Sequence, residues 1–320
     1  MKNNYRSLNS LMRHMRESAG INVGGSPCKR ALAQVGYFHG YKGYRYSGES
    51  TRLIPYSEFN ELLAVIDFDT RLKGIFYPVL MKTEMMMKNL ALVEILEAAG
   101  SSSLTDIYRT LMPGNRRGLR KGKLEVIHSN AAVLLSSYKR NNVIVRHYYD
   151  SPAESVPVWG LMEVITLGHF ARLLEQLSDS VLTDIAARWG MQRRDGQLVP
   201  HLVFAVTDLR NCVAHNGIVF DTRFATGEIR RQVKSLLRRE VGFKPEIAVK
   251  FETITDYFVL VIYLACSMGF PKREIKALIR EYTLCTDELR SKVPLKMFDM
   301  IVHTDNRVKL NQLQQWVTSR

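Results

Sequence analysis

Hydrophobic residues recur at intervals of three and four along most of this chain, which is the spacing of amphipathic α-helices. The longest such stretch covers residues 58–96, where Pro78 predicts a kink or a break in the helix. This pattern predicts an all-α fold. Further helices are expected at residues 7–19, 124–138, 159–177, 182–189, 198–213, 227–239, 252–268, 272–281 and 311–319.

A length of 320 residues suits one large helical domain or two lobes. We expect an N-terminal helical region (1–125), a helical core (126–240) and a C-terminal extension (241–320), with a single continuous domain as the alternative. The longest apolar run, residues 257–270, is too short to span a bilayer of about 30 Å. It predicts a buried helix, and no membrane partner is expected.

The balance of charge indicates which kind of partner to expect. There are 45 basic and 31 acidic residues, a formal charge of +14. Such an excess favours a polyanionic partner, first of all nucleic acid and less so an anionic membrane surface. A basic protein without any such partner is the simpler interpretation.

The four cysteines are widely separated, at positions 28, 212, 266 and 285, and form no Cys-x-x-Cys pair. Neither a zinc site nor a disulfide framework is indicated, and a reducing cytoplasm fits best. The chain also lacks the glycine-rich phosphate motifs of nucleotide-binding enzymes and any helix-turn-helix or zinc-finger signature. No metal or cofactor is therefore expected.

Candidate chemistry is concentrated in residues 208–217, which read Asp-Leu-Arg-Asn-Cys-Val-Ala-His-Asn-Gly. Asn211 and His215 are four residues apart and share a helical face beside Arg210, and Gly217 predicts the end of the helix. Histidine transfers protons near neutral pH, arginine holds phosphate, and asparagine can orient either group. These three side chains suffice for cutting RNA without a metal. The simpler alternative is a helix-end arginine and an ordinary hydrogen-bonded histidine.

Two basic segments are candidates for contact with an RNA backbone, although each is equally consistent with a solvated surface. The first is a glycine-rich stretch, residues 114–123. The second is the amphipathic helix expected at 227–239. The candidate side chains are Arg116, Arg117, Arg120 and Lys121 in the first segment, and Arg230, Lys234 and Arg238 in the second.

Residues 36–48 combine glycine, tyrosine and basic side chains. Tyrosines could stack on unpaired bases while cations hold phosphates. The alternative is packing of the tyrosines in a turn or a short two-stranded ribbon against the helices of residues 58–96. The candidate RNA-binding residues here are Tyr37, His39, Tyr41, Lys42, Tyr44 and Arg45.

Several ordered motifs make the chain resemble the Abi-like abortive-infection proteins, most closely the AbiD and AbiF branch. The resemblance extends from Leu8 to Phe220 and leaves out the last hundred residues. The motifs are residues 10–16 with Gly20 and Ile21, residues 28–30, 36–45 and 67–72, residues 157–159 with Glu163, residues 166–168 and 209–211, and His215 with Asn216.

The resemblance implies a HEPN domain, a helical bundle that often dimerises so that two Arg-Asn-x-x-x-His motifs face each other. It implies a metal-independent endoribonuclease in antiphage defence or a toxin, restrained by a structured noncoding RNA. Arg210, Asn211 and His215 match the catalytic motif, and Glu163 matches an acidic position with a supporting role. The competing hypothesis is an RNA-binding protein that holds a structured RNA without cutting it; a DNA-binding regulator is a weaker one.

Overall fold

The computed structural model of the protein describes residues 7–49, 51–111, 133, 135–149, 156–225 and 227–320, and the regular secondary structure in these ranges is helical. Within these ranges the only β-pairing is two isolated bridges, Asn22 with Glu58 and Tyr46 with Leu53. The all-α prediction is confirmed. The α-helices are α1 Leu8–Ala19, α2 Gly25–Val35, α3 Phe59–Ala99, α4 Leu104–Leu111, α5 Val143–Tyr149, α6 Val158–Val164, α7 Leu167–Leu174, α8 Asp179–Arg188, α9 Val199–Ala214, α10 Arg231–Val241, α11 Ile254–Ser267, α12 Lys272–Lys292, α13 Leu295–Ile301 and α14 Asn306–Ser319.

Helix α3 is the longest element in the described part of the chain and packs against α4, α6, α8, α9, α11 and α12. Its 41 residues correspond to about 60 Å of helix. The helix continues through Pro78 without interruption, so the expected break is absent. Phe76, Val79 and Leu80 around the proline are buried, and this packing holds the helix together where one backbone hydrogen bond is lost.

Other helix boundaries differ from the expected ones for local reasons. The single helix expected at 159–177 is two helices, because Ile165 and Thr166 adopt extended backbone conformations. The Thr166 side chain then caps α7 by accepting a hydrogen bond from the backbone N–H of His169. The basic helix expected from residue 227 begins only at Arg231, so residues 227–230 form a non-helical approach to α10.

The C-terminal helices complete the core. Every residue of α11 from Ile254 to Ala265 is buried, which confirms the buried helix expected there. None of the described helices combines the length and the apolar content that a membrane span requires. One continuous set of buried side chains includes residues of all three expected regions. The division into three regions stays a prediction.

Candidate active site at the end of helix α9

Helix α9 presents the candidate motif on a rigid support. The apolar residues expected to form its inner face are all buried, namely Leu202, Val203, Val206, Leu209 and Val213. The helix packs against α3, α7 and α11. Its last turn carries Arg210 and Asn211, and His215 follows as its C-cap residue.

The residue that stops α9 is Asn216 rather than Gly217. Asn216 has a φ of 55°, the left-handed conformation that terminates many helices. Gly217 is required for a different reason: a Cβ at this position would lie 2.6 Å from the Cys212 Sγ. The chain therefore turns tightly back against the helix immediately after His215.

Arg210 is held in place by α3. Its Nε donates to Glu84 Oε2 at 2.6 Å, and its Nη1 donates to Asn211 Oδ1 at 3.0 Å. Glu84 also accepts from Lys88 Nζ at 2.8 Å, and Lys88 donates in turn to the carbonyl of Ile165. These bonds use two of the five N–H donors of the guanidinium. The remaining donors can meet an anion.

The electrostatics of Glu84 follow from this arrangement. Burial raises the pKa of Glu84, but the hydrogen bonds and charges of Lys88 and Arg210 more than offset that effect, so the pKa lies below its ordinary value. Glu84 is therefore ionised at neutral pH. It fixes the direction of Arg210 and neutralises part of the local positive charge.

Glu84→Gln is expected to lower the free energy of unfolding by about 1.5 to 3 kcal/mol near neutral pH, because charge-assisted bonds to two cations are weakened. A carboxylate with a lowered pKa stabilises the fold above its ordinary pKa of 4.5 and loses this contribution as the pH falls through its folded value. The difference between wild type and variant should therefore shrink below pH 4.5. Urea unfolding across the acid range measures it.

The matched control for this prediction is Glu97→Gln on the same helix. Glu97 forms an exposed ion pair with Arg188, and such pairs contribute about 0 to 1 kcal/mol. A difference between wild type and Glu84→Gln that persists unchanged to low pH would contradict the assigned role of the Glu84 charge.

The segment that follows the motif is anchored to α3 at a second point. The fully buried carboxylate of Asp69 accepts the backbone N–H groups of Val219 at 2.7 Å and Phe220 at 2.8 Å. It also accepts the hydroxyl of Tyr44 at 2.7 Å and pairs with Lys73 at 3.0 Å. Lys73 donates to Asn216 Oδ1 at 2.9 Å. This chain of bonds fixes the backbone on the C-terminal side of His215.

His215 itself is exposed. Its backbone N–H donates to the carbonyl of Asn211 at 3.0 Å, while its imidazole has no hydrogen-bond partner within the described ranges. The ring is therefore open to a ligand. The site thus comprises a held arginine, an asparagine bonded to that arginine, and an exposed imidazole one helical turn away.

Glu163, expected to support the motif, lies exposed on α6, and its carboxylate forms no hydrogen bond or ion pair with any residue that the structure describes. The acidic partner of Arg210 is Glu84 instead. Sequence reasoning missed both Glu84 and Lys88. The available signal was an acid and a base four residues apart, beside three consecutive methionines in a helix that is otherwise largely apolar.

The tyrosine-rich segment packs inside the protein. Tyr37, Tyr41 and Tyr44 are buried, so their rings cannot stack on bases, and the packing alternative is correct for them. The segment forms a π-helix, Gly36–Lys42, and a 3₁₀-helix, Gly43–Arg45, where a turn or ribbon was expected. His39 and Lys42 are exposed and Arg45 is partly exposed. Lys42 lies 5.8 Å from the Tyr37 ring centre and Arg45 the same distance from that of Tyr41.

Only the second of the two basic segments lies within the described residues. Arg116, Arg117, Arg120 and Lys121 lie outside the described residues. In the second segment, Lys234 pairs with Glu228 at 3.1 Å, and Arg238 donates to the carbonyl of Pro245. Arg230 is exposed, and its side chain has no ion-pair or hydrogen-bond partner among the described residues.

Among the residues that the structure describes, no group of three or more His, Cys, Asp or Glu side chains converges to hold a metal ion. All four cysteines are free, and burial raises the pKa of Cys212 next to the motif to about 12. Cys212 is therefore a thiol at neutral pH, and it donates to the carbonyl of Ile218.

Comparison with known proteins gives one match. No curated protein and no solved structure matches this chain. A family model described as Abi-like protein matches residues 30–221, more than half of the 320 residues. The matched stretch includes Asp69, Glu84 and the whole motif at the end of α9. The chain therefore belongs to the Abi-like protein family.

Proposed function

We propose that this protein is a metal-independent endoribonuclease of the HEPN type, in the AbiD and AbiF branch of its family, acting in abortive infection or as a toxin. Family membership supports the role in abortive infection. The observation that carries the nuclease proposal is the arrangement around α9. Arg210 is held by Glu84 and Asn211, with the free imidazole of His215 one turn further on.

The proposed reaction uses the nucleophile that RNA carries. The 2′-oxygen bonds to the adjacent phosphorus while the bond from phosphorus to the 5′-oxygen breaks, giving a 2′,3′-cyclic phosphate and a 5′-hydroxyl. One proton leaves the 2′-oxygen and another is delivered to the departing 5′-oxygen. His215 transfers one of these protons, and the His215 of a second copy transfers the other.

Arg210 and Asn211 act on the phosphate in this proposal. The guanidinium stabilises the charge that develops on the phosphorane-like transition state, and its bond to Glu84 orients it before the substrate binds. Asn211 holds the guanidinium from the other side and lies on the same helical face as His215. No step requires a metal.

An exposed apolar stripe on α3 supports the homodimer. Tyr77 and Met85 are 51% and 55% exposed, and Met81 lies between them at helical spacing. The stripe lies beside Glu84 and therefore beside the site. An apolar surface that contacts its own copy across a two-fold axis would bring two motifs together.

The proposed substrate and regulator are both RNA. The formal charge of +14 favours a polyanion as substrate. A structured noncoding RNA that occupies the motif would restrain a toxic nuclease until infection. A protein prepared from cells would then carry this RNA.

The test is cleavage of total cellular RNA by purified, RNA-free protein in EDTA, with analysis of the product ends. We expect cutting that persists in EDTA and leaves 2′,3′-cyclic phosphate and 5′-hydroxyl ends. RNA carrying 2′-O-methyl groups is the matched control substrate, because it lacks the nucleophile and should stay intact. Cleavage of the methylated RNA, or a requirement for added Mg²⁺, would overturn the mechanism. A discrete co-purifying RNA without any cleavage would favour the RNA-binding alternative.

A further inference from the structure

A groove beside the motif carries polar side chains that the proposed reaction does not use. It has a volume of about 460 Å³, within the range of small-ligand sites. Its walls come from α7, from the outer face of α9 and from residues 227–230. The last of these is the non-helical approach to α10.

Two arginines from different elements of the groove wall can bind an anion. Arg172 on α7 and Arg230 before α10 are both exposed, and neither guanidinium group has a hydrogen-bond or ion-pair partner in the described part of the chain. Most other arginines in the C-terminal half have a side-chain partner. Arg188, Arg223 and Arg239, for example, are paired with carboxylates. Guanidinium groups without a partner are suited to phosphate.

Two histidines and an aromatic ring line the same groove. Burial lowers the pKa of His201, and the charge of Arg230 lowers it further, so this imidazole is neutral at pH 7. His169 is fixed by a 2.8 Å contact between its Nδ1 and the Thr166 hydroxyl. Phe204 is half-buried in the same wall and offers an aromatic face. Imidazole and phenyl rings stack on bases.

The groove is not purely cationic, and this favours a nucleotide over a simple anion. Asp208, Glu175 and Glu228 also line it. A carboxylate accepts hydrogen bonds from the amino group of a base or from a ribose hydroxyl. Phosphate, base and sugar thus each have complementary groups here.

The groove leads directly to the motif. His201, Phe204, Asp208, Asn211 and His215 follow one another at steps of three and four residues, so they lie along one side of α9. The rise from Asp208 to Asn211 is about 4.5 Å and that to His215 about 10 Å. One strand can therefore lie in the groove and pass the motif.

We propose that this groove is a subsite for one nucleotide of single-stranded RNA, next to the phosphate that is cut. Arg172 and Arg230 bind the backbone phosphate, Phe204 and His201 contact the base, and Asp208 accepts a hydrogen bond from the amino group of the base. This inference rests on the proposed function, because it assigns the groove to the substrate of that reaction.

The experiment measures the binding of a fluorescent pool of 2′-O-methyl RNA hexamers, which cannot be cleaved by the proposed route. The double variant Arg172→Ala/Arg230→Ala is expected to weaken binding at least about tenfold, as for the loss of two charge-assisted contacts. The control is Arg13→Ala/Arg280→Ala, which removes two exposed arginines on α1 and α12 and changes the net charge equally. It should weaken binding by less than about threefold.

Equal affinities of the two double variants would overturn the subsite, and so would the absence of hexamer binding by the wild type. A second measurement locates the RNA: a hexamer carrying 4-thiouridine should crosslink to the α9 peptide that contains Phe204. Crosslinks that form only at peptides other than this one would also overturn the subsite.

These outcomes separate the subsite from the nuclease. If the wild type cuts RNA and the two double variants bind the hexamer equally, the nuclease proposal stands and the subsite proposal fails. If only the Arg172→Ala/Arg230→Ala variant loses binding and the wild type does not cut RNA, the subsite proposal stands and the nuclease proposal fails.

Discussion

His215→Ala is expected to lower RNA cleavage by about 10² to 10⁴-fold, the contribution that positioned proton transfer makes to enzymatic rates. The imidazole is exposed and has no hydrogen-bond partner among the described residues, so its loss removes chemistry without removing packing. The backbone bond from residue 215 to Asn211 is retained in the variant. Initial rates on a labelled RNA, together with the temperature of unfolding, measure both effects.

His303→Asn is the matched control for this variant. His303 is exposed in the connection between α13 and α14 and has a φ of 72°, a conformation that asparagine tolerates. This control should cleave at the wild-type rate. Cleavage by His215→Ala within a few-fold of wild type would remove His215 from the mechanism and leave the RNA-binding alternative.

Asp69→Ala is expected to reduce the free energy of unfolding by about 3 to 5 kcal/mol, the usual result of removing one partner of a buried ion pair. The variant leaves Lys73 without its carboxylate, and it leaves the N–H groups of Val219 and Phe220 buried without an acceptor. Such a loss is a large fraction of the stability of an ordinary protein. The shift in the midpoint of urea unfolding measures this loss, provided that the free energy of unfolding falls with urea concentration at the same slope in both proteins.

Asp67→Ala separates this effect from the general loss of an acidic residue on α3. Asp67 is exposed two positions away and should change stability by less than about 0.5 kcal/mol. Asp69→Asn keeps the size of the side chain and replaces Asp69→Ala if the alanine variant does not fold. Its loss in the free energy of unfolding should lie between those of Asp67→Ala and Asp69→Ala. Equal stability of the Asp67 and Asp69 variants would contradict the anchoring role.

The local part of the site could be predicted from the sequence, because helical periodicity acts over a few residues. The spacing of Leu202, Val206, Leu209 and Val213 predicts α9 nearly to its ends, and the motif follows within that helix. The contact between Arg210 and Glu84 could not be predicted in this way, since 126 residues separate the two. Only packing of α9 on α3 brings them together.

The tyrosine segment shows where composition is ambiguous. Tyrosine suits both a buried face and a base-stacking surface, and the sequence contains no signal that decides between them. The decision comes from distant partners: the Tyr44 hydroxyl donates to Asp69, and its ring stacks on Phe220. Both partners lie on other elements, so the burial of Tyr44 is a property of the assembled fold.

The continuity of α3 through Pro78 has a consequence for how the site tolerates change. Asp69 and Glu84 are fifteen residues apart on this helix, about 22 Å, and they hold the two sides of the same motif. One residue inserted between them would rotate one carboxylate by about 100° relative to the other. Substitutions on the exposed face of this interval are therefore far easier to accommodate than any change in its length.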